Sequence, residues 1–297
     1  MSKIMSKRYR GIVYIILSAF CFAFMNMFVR MAGGLPSVQK SFFRNFVAAV
    51  FAFAILLKDR VPFRCRRGNL VYLLLRAGFG TLGILCNFYA IDHLVLADAS
   101  MLNKMSPFFA VLFSFLILKE KVTAPQALIV AGAFAGSMFV VKPTFSNMDL
   151  VPSVIGLIGG ICAGAAYTMV RKLGENGERG PFIVFFFSMF SCMVTAPWLI
   201  FDFHPMTPGQ LAALLMAGLS AAGGQFSITA AYTYAPAREI SVYDYSQIIF
   251  AAFLGFVVFG QVPDMLSWLG YGIICTMAVV MFLYNTRQYH KERELEP

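Results

Sequence analysis

Apolar residues fall along the chain in runs close to 20 residues long, separated by short stretches that hold most of the charge. A helix rising 1.5 Å per residue needs about that length to cross a hydrocarbon core roughly 30 Å thick. The pattern predicts ten spans, at about 11–31, 38–57, 69–91, 95–118, 125–142, 152–172, 181–201, 208–231, 238–260 and 265–285. The fourth run breaks the rule of apolar interiors. Leu96 to Val122, LADASMLNKMSPFFAVLFSFLILKEKV, carries Asn103, Lys104, Ser106 and Pro107 near its middle. A charge at membrane depth costs roughly 2.5–3.5 kcal/mol on insertion scales, so Lys104 is expected to face the protein interior or water. Pro107 lacks an N–H and crowds the carbonyl of Asn103, so it is expected to kink the helix.

The same design returns 141 positions later. Ser241 to Gln261, SVYDYSQIIFAAFLGFVVFGQ, aligns without a gap on Ser100 to Glu120, setting Asp244 opposite Asn103, Tyr245 opposite Lys104 and Ile248 opposite Pro107. The offset also maps Arg30 in FVRMAG onto Arg171 in MVRKLG, and Ala19 and Ala23 onto Gly160 and Gly164. An internal repeat of five spans has an odd number of crossings, so its second copy enters the membrane from the opposite side. The expected fold is all-α and polytopic: ten transmembrane helices in two inverted five-helix repeats. The expected units are a cytoplasmic N-terminus at 1–10, a first repeat at 11–142, a second at 152–285 and a cytoplasmic tail at 286–297, polar and frayed.

Composition agrees with this class. Hydrophobic residues make up 59% of the 297 and charged residues only 13%, too apolar a mixture for a water-soluble domain. The net charge of +10 is not a nucleic-acid signal, because its cations sit at span ends and in short connections. Lys3, Lys7, Arg8 and Arg10 precede the first span; Lys58, Arg60, Arg64, Arg66 and Arg67 follow the second; Lys119, Lys121, Arg171, Lys172 and Arg238 lie on the same side. Only Arg30, Lys40 and Lys142 fall near the other face, which places both termini in the cytoplasm. The first span reads as a signal anchor rather than a cleavable signal peptide.

Catalytic and metal chemistry find no residues to carry them. There is no G-x-S-x-G, H-E-x-x-H, phosphate-binding loop or dinucleotide fingerprint. Cys21, Cys65, Cys86, Cys162, Cys192 and Cys275 have no C-x-x-C spacing, and His93, His204 and His290 lie at span ends or in the tail. No enzyme activity, cofactor or metal is expected. Gly156, Gly160 and Gly164, four apart, mark a close helix contact. Gly78, Gly80, Gly83, Gly223 and Gly224 either pack or soften helices.

Intramembrane polar residues are the candidates for function. Arg44, Arg76, Lys104 and Asp244 are the charges expected at least a turn below the surface; Asn26, Asn87, Asn103, Tyr167, Gln225, Tyr243, Tyr245, Ser246 and Gln247 add neutral hydrogen-bonding groups. Substrate binding is assigned to Lys104, Asn103, Arg76, Arg44, Asp244, Tyr245, Gln225, Asn26, Tyr167 and Gln247. On the fourth and ninth spans, Asn103, Pro107, Ala110 and Ser114, and Ser241, Asp244, Tyr245, Ile248, Ala252 and Gly255, each share a face suited to a central cavity. The bland alternatives are a structural bridge from Lys104 or Arg76 to Asp244, and an Arg44 that snorkels to the interface. Asp244, the only carboxylate well inside a span, is also the candidate for proton coupling, since burial raises the cost of its charge.

FYAIDHLVLADASMLNKMSPFFAVLFSFLILKEKV resembles the EamA module of the drug/metabolite transporter superfamily through Ala97, Asp98, Ala99, Leu102, Ser106, Pro107, Phe109, Lys119 and Glu120. FFRN at 42–45, LLRAGFG at 74–80, YTMVRKLG at 167–174 and GGQFSITAA at 223–231 extend the resemblance over nearly the whole chain. The second module departs from it, with Ile248 where Pro is common and Gln261 where Glu is common. The resemblance implies two inverted EamA repeats around a central site and secondary-active transport by alternating access. Three cations against one carboxylate point to a carboxylate-bearing or zwitterionic solute, such as an amino acid or organic acid. A quaternary amine caged by Tyr167, Tyr243 and Tyr245, a nucleoside-type metabolite or a vitamin is the alternative cargo, and a channel or membrane scaffold the alternative role. The expected partners are a small-molecule substrate, the lipid bilayer and protons or a counter-substrate, with no nucleic acid; the expected location is a bacterial inner membrane.

Overall fold

A computed structural model describes residues 3–59, 64–93, 102–141, 150–260 and 262–295. The described residues form eleven α-helices and no strand: α1 Lys3–Met31, α2 Ser37–Lys58, α3 Leu70–His93, α4 Ser106–Leu118, α5 Ala124–Val141, α6 Leu150–Glu175, α7 Gly180–Phe201, α8 Pro208–Tyr234, α9 Ala237–Asp244, α10 Ser246–Phe259 and α11 Met265–Leu295. Among the described residues, eight runs are long and apolar enough to cross a membrane, α9 and α10 counting as the single run Ala237–Phe259, and Ser106–Leu118 and Ala124–Phe139 are shorter apolar helices. Large side chains such as Phe253, Phe256 and Val257 point outward, as a lipid-facing surface requires.

Local chemistry sets the helix ends. Thr207 caps α8: its hydroxyl accepts from the Gln210 N–H, the Gln210 side chain accepts from the Thr207 N–H, and Pro208 follows where a missing N–H costs nothing. At their far ends α4 and α10 stop in left-handed residues, Lys119 at φ 56° and Gly260 at φ 65°. These two are repeat mates, so the second copy uses glycine where the first forces a lysine into a conformation that disfavours a Cβ.

Two expectations need correction. Pro107 does not bend a continuous helix. The helix is interrupted at Lys104–Met105, Met105 N–H bonds Leu102 O at 3.2 Å, and Pro107 lies in the first turn of α4. The second copy breaks within a residue of the equivalent place, where Tyr245 N–H bonds Val242 O, although Ile248 stands in for the proline. Proline therefore fits the break without causing it. The tail also continues as helix, through Leu295, because Gln288, Lys291, Glu292 and Arg293 favour helix and no breaker intervenes. Part of the fourth predicted span, residues 95–101, lies outside the described residues.

The helices pack in exchanged pairs. α1 lies on α8 as α6 lies on α3, and α1 contacts α9 and α10 as α6 contacts α4; α2 meets α7, and α5 meets α11. Each relation swaps one half for the other, the signature of a two-fold relation between repeats. Contacts repeat at atomic detail: Gly83 and Gly159 approach backbone to backbone, and their mates meet through the Ser18 hydroxyl, which donates to Gly224 O at 3.1 Å. A Cβ on Gly160 would lie 2.5 Å from Leu102 O, and one on Gly164 would lie 2.6 Å from the Phe109 Cβ and 2.9 Å from Ala110 N. The α4–α6 seam is thus closed by absent side chains.

Polar ties join the halves at one end. The Glu120 carboxylate accepts from Arg171 Nε at 3.0 Å and from the Ser114 hydroxyl. Glu178, at the head of α7, accepts from the Arg66 N–H at 3.1 Å and from Asn69 Nδ2 at 2.9 Å.

The seam yields a stability contrast. Gly164→Ala should destabilise the protein by about 1–3 kcal/mol, since backbone rather than a flexible side-chain tip must yield. Gly78→Ala, with nothing within 4 Å of the added carbon, should be neutral or stabilising by up to about 1 kcal/mol. Thermal unfolding of both variants in detergent checks this, and equal melting points would mean that the α4–α6 approach is looser than described.

Candidate functional site

A cavity of about 560 Å³ lies between the halves, a size suited to a small organic molecule. Much of its wall obeys the repeat: Phe22 and Ala163, Met25 and Ala166, Asn26 and Tyr167, Ile84 and Gln225, Asn103 and Asp244, and Ser106 and Gln247 are lining pairs 141 positions apart. The charges do not obey it. Arg44, Arg76 and Lys104 line the cavity from the first repeat, and their mates are Phe185, Ala217 and Tyr245. The carboxylate comes from the second repeat.

Each charged side chain is nearly sealed from solvent: Arg44 is 5% exposed, Arg76 2%, Lys104 6% and Asp244 4%. The interruption before α4 aims Lys104 across the interface. Its ammonium donates to Gln247 Oε1 at 2.6 Å and pairs with Asp244 Oδ2 at 3.4 Å. The other carboxylate oxygen of Asp244 is buried with no partner. Lys104 is therefore the bridge to Asp244, and Arg76 is not.

The arginines are seated by neutral groups. Arg76 donates from Nη2 to Gln225 Oε1 at 3.0 Å and lies over the Phe187 ring, 4.0 Å from its centre, with its Nε buried and unpartnered. Arg44 donates from Nε to Met25 Sδ at 3.0 Å and from Nη1 to Asn45 Oδ1 at 3.4 Å, with Phe22 at 6.0 Å. It does not snorkel. Neither guanidinium has a carboxylate within 4 Å among the described residues.

Most of the residues singled out in the sequence meet here: Lys104, Asn103, Arg76, Arg44, Asp244, Gln225, Asn26, Tyr167 and Gln247 all line the cavity. Tyr245 does not; it is fully buried behind the wall, and Tyr243 also lies off it. Pro107, Ala110 and Ser114 are buried away from the cavity; Ala110 lies along the α6 seam, and Ser114 donates to Glu120. Sequence reading missed Phe22, Phe187 and Arg30 as lining residues, since nothing distinguishes one aromatic in an apolar run from another. It also missed the purpose of Gly80. A Cβ there would collide with Arg76 Nη1, so the glycine makes the seat in which that guanidinium lies. Its spacing, one turn after a buried cation, was the available signal.

The Lys104–Asp244 pair can be separated into its parts. Lys104→Met or Asp244→Asn alone should cost about 3–5 kcal/mol, since each leaves a buried charge without its partner, and the double variant should recover most of that loss. Melting curves of the three variants in detergent test the coupling. Additive losses would show that the two groups do not sense one another.

Comparison with known proteins agrees with this architecture. The model of the EamA-like transporter family matches twice, over residues 9–142 and 152–283. The chain is 32% identical over 272 residues to the Pseudopaline exporter CntI of Pseudomonas aeruginosa, covering 91% of this chain and 94% of that one. It is 26% identical over 296 residues to the Riboflavin transporter of Vibrio cholerae, covering 96% and 97%. A solved crystal structure with 14% identity superposes with a TM-score of 0.81, covering 95% of this chain and 99% of that chain, and so shares its fold. The chain belongs to the EamA-like transporter family and is a multi-pass membrane transporter of a small molecule, not an enzyme.

Proposed function

We propose that the chain is a secondary-active transporter of a carboxylate-bearing or zwitterionic solute, such as an amino acid or organic acid, working by alternating access. One observation carries this reading: among the described residues of the cavity wall the only carboxylate, Asp244, is already paired with Lys104, while Arg44 and Arg76 have none. An anionic solute supplies the charge that the protein withholds. An amino group on a zwitterion meets the unpartnered oxygen of Asp244.

The wall argues against a quaternary-amine cage built on Tyr167, Tyr243 and Tyr245. Such a cage needs free aromatic faces. Guanidinium groups lie over Phe22 and Phe187, Tyr167 is stacked on Tyr232, and Tyr243 and Tyr245 lie off the cavity.

The charge count supports cytoplasmic termini, and the bacterial relatives support an inner-membrane location. On that orientation the cavity draws on the outer parts of α1 and α3, through Asn26, Arg30, Asn87 and Phe88. The Arg171–Glu120 and Glu178 ties lie at the cytoplasmic end. This is the arrangement of an outward-facing state, and the ties must open for release to the other side. Asp244, whose second carboxylate oxygen is buried without a partner, is the residue that couples the cycle to protons.

Two measurements test this reading. A thermal-shift screen of amino acids, organic acids, nucleosides, vitamins and quaternary amines should find stabilisation by carboxylate-bearing compounds, about 2.7 kcal/mol at 100 times the dissociation constant, and none in Lys104→Ala. Stabilisation by quaternary amines alone would overturn the anionic-site reading. In proteoliposomes carrying a pH gradient, Asp244→Asn should still exchange solute but should no longer accumulate it; accumulation unchanged from the parent would remove proton coupling at this residue.

A further inference from the structure

We propose that the transported solute carries two anionic groups, one received by Arg44 and one by Arg76. This rests on the reading of the cavity as a site for carboxylate-bearing solutes and narrows it to dianionic ones.

Charge balance is the first argument. Lys104 and Asp244 neutralise each other at 3.4 Å, so the pair brings no net charge to the solute. Of the other cations in the wall, Arg30 is exposed, whereas Arg44 and Arg76 are nine-tenths or more buried and without a carboxylate among the described residues. A solute with a single carboxylate leaves one guanidinium buried and uncompensated, whereas two such groups bring the centre to neutrality.

The second argument is that each guanidinium has its own seat. Arg76 on α3 is held over Phe187 of α7 by the amide of Gln225, in space that Gly80 leaves open. Arg44 on α2 leans on Met25 and Phe22 of α1, a sulfur being a weak acceptor that orients the group without offsetting its charge. Neutral partners use one donor of Arg76 and two of Arg44 out of the five that each carries, so both keep N–H groups for an incoming oxygen. Two cations fixed by different helices and different rings form two stations. Gly80 is a positioning residue for one of them.

The test compares solutes that differ only in the second charge. Binding of succinate, glutarate and adipate is measured against that of butyrate, valerate and hexanoate by calorimetry on the purified full-length protein. The same series is run on Arg44→Gln, Arg76→Gln and Gly80→Ala. The best dicarboxylate should bind about tenfold or more tightly than the monocarboxylate of equal length, the worth of one charge-assisted hydrogen bond. That ratio should fall toward one in all three variants. Gly80→Ala keeps every charge and removes only the seat, so it carries the test if either Gln variant fails to elute as a folded protein in size exclusion. A ratio near one in the parent, or a ratio unmoved by Gly80→Ala and Arg76→Gln while monocarboxylates still bind, overturns the two-group proposal and leaves the carboxylate reading intact. Absence of binding by every carboxylate overturns both.

Discussion

Placing three cations and one carboxylate at the depth where a bilayer excludes water costs several kcal/mol for each charge left uncompensated, and the architecture follows the ways in which that cost is met. Lys104 meets it with Asp244 from the other repeat, across the interface between the halves. Arg76 and Arg44 meet it only in part, with an amide, a thioether and two aromatic faces. What those groups leave unpaid is available to a solute. The centre is therefore poised for an anion because the protein orients its cations without neutralising them.

The scaffold is symmetric and the chemistry is not. Lining positions such as Asn26 and Tyr167, or Asn103 and Asp244, fall in register through the repeat, and the helix breaks and left-handed ends recur in both halves. Charge follows a different rule. The cations belong to the first repeat and the acid to the second, so either half alone holds an uncompensated centre. The equivalent positions at the two ends differ as well: Arg171 finds Glu120, while its mate Arg30 lies 4.9 Å from the Phe259 ring centre and Gln261 stands where the first repeat has the acid. Gln261 itself lies outside the described residues.

Glycine serves two purposes here, and composition cannot tell them apart. Gly160 and Gly164 let α6 lie against the backbone of residues 102–110, and Gly83 lets α3 do the same against Gly159. At Gly80 the atoms nearest the missing side chain belong instead to the side chains of Arg76 and Phe187. The first use brings helices together, and the second leaves a pocket in which a cation can lie flat against an aromatic face.

Much of this was legible from sequence because bilayer physics makes local pattern informative. Runs near 20 residues announce spans, a buried Lys104 or Asp244 announces a site, and a gapless offset of 141 announces the repeat. Those signals rest on single side chains being too costly to place in lipid. What only the tertiary structure decided is which polar group faces which. Asp244 belongs to Lys104 rather than Arg76, Tyr245 lies behind the wall while its neighbour Asp244 lines it, and Pro107 starts a helix whose repeat mate starts without a proline. Partner choice among residues some 140 positions apart depends on helix rotation and approach distance. Those are set by close packing among many side chains and by absent ones such as Gly80, and no local period of the chain encodes them.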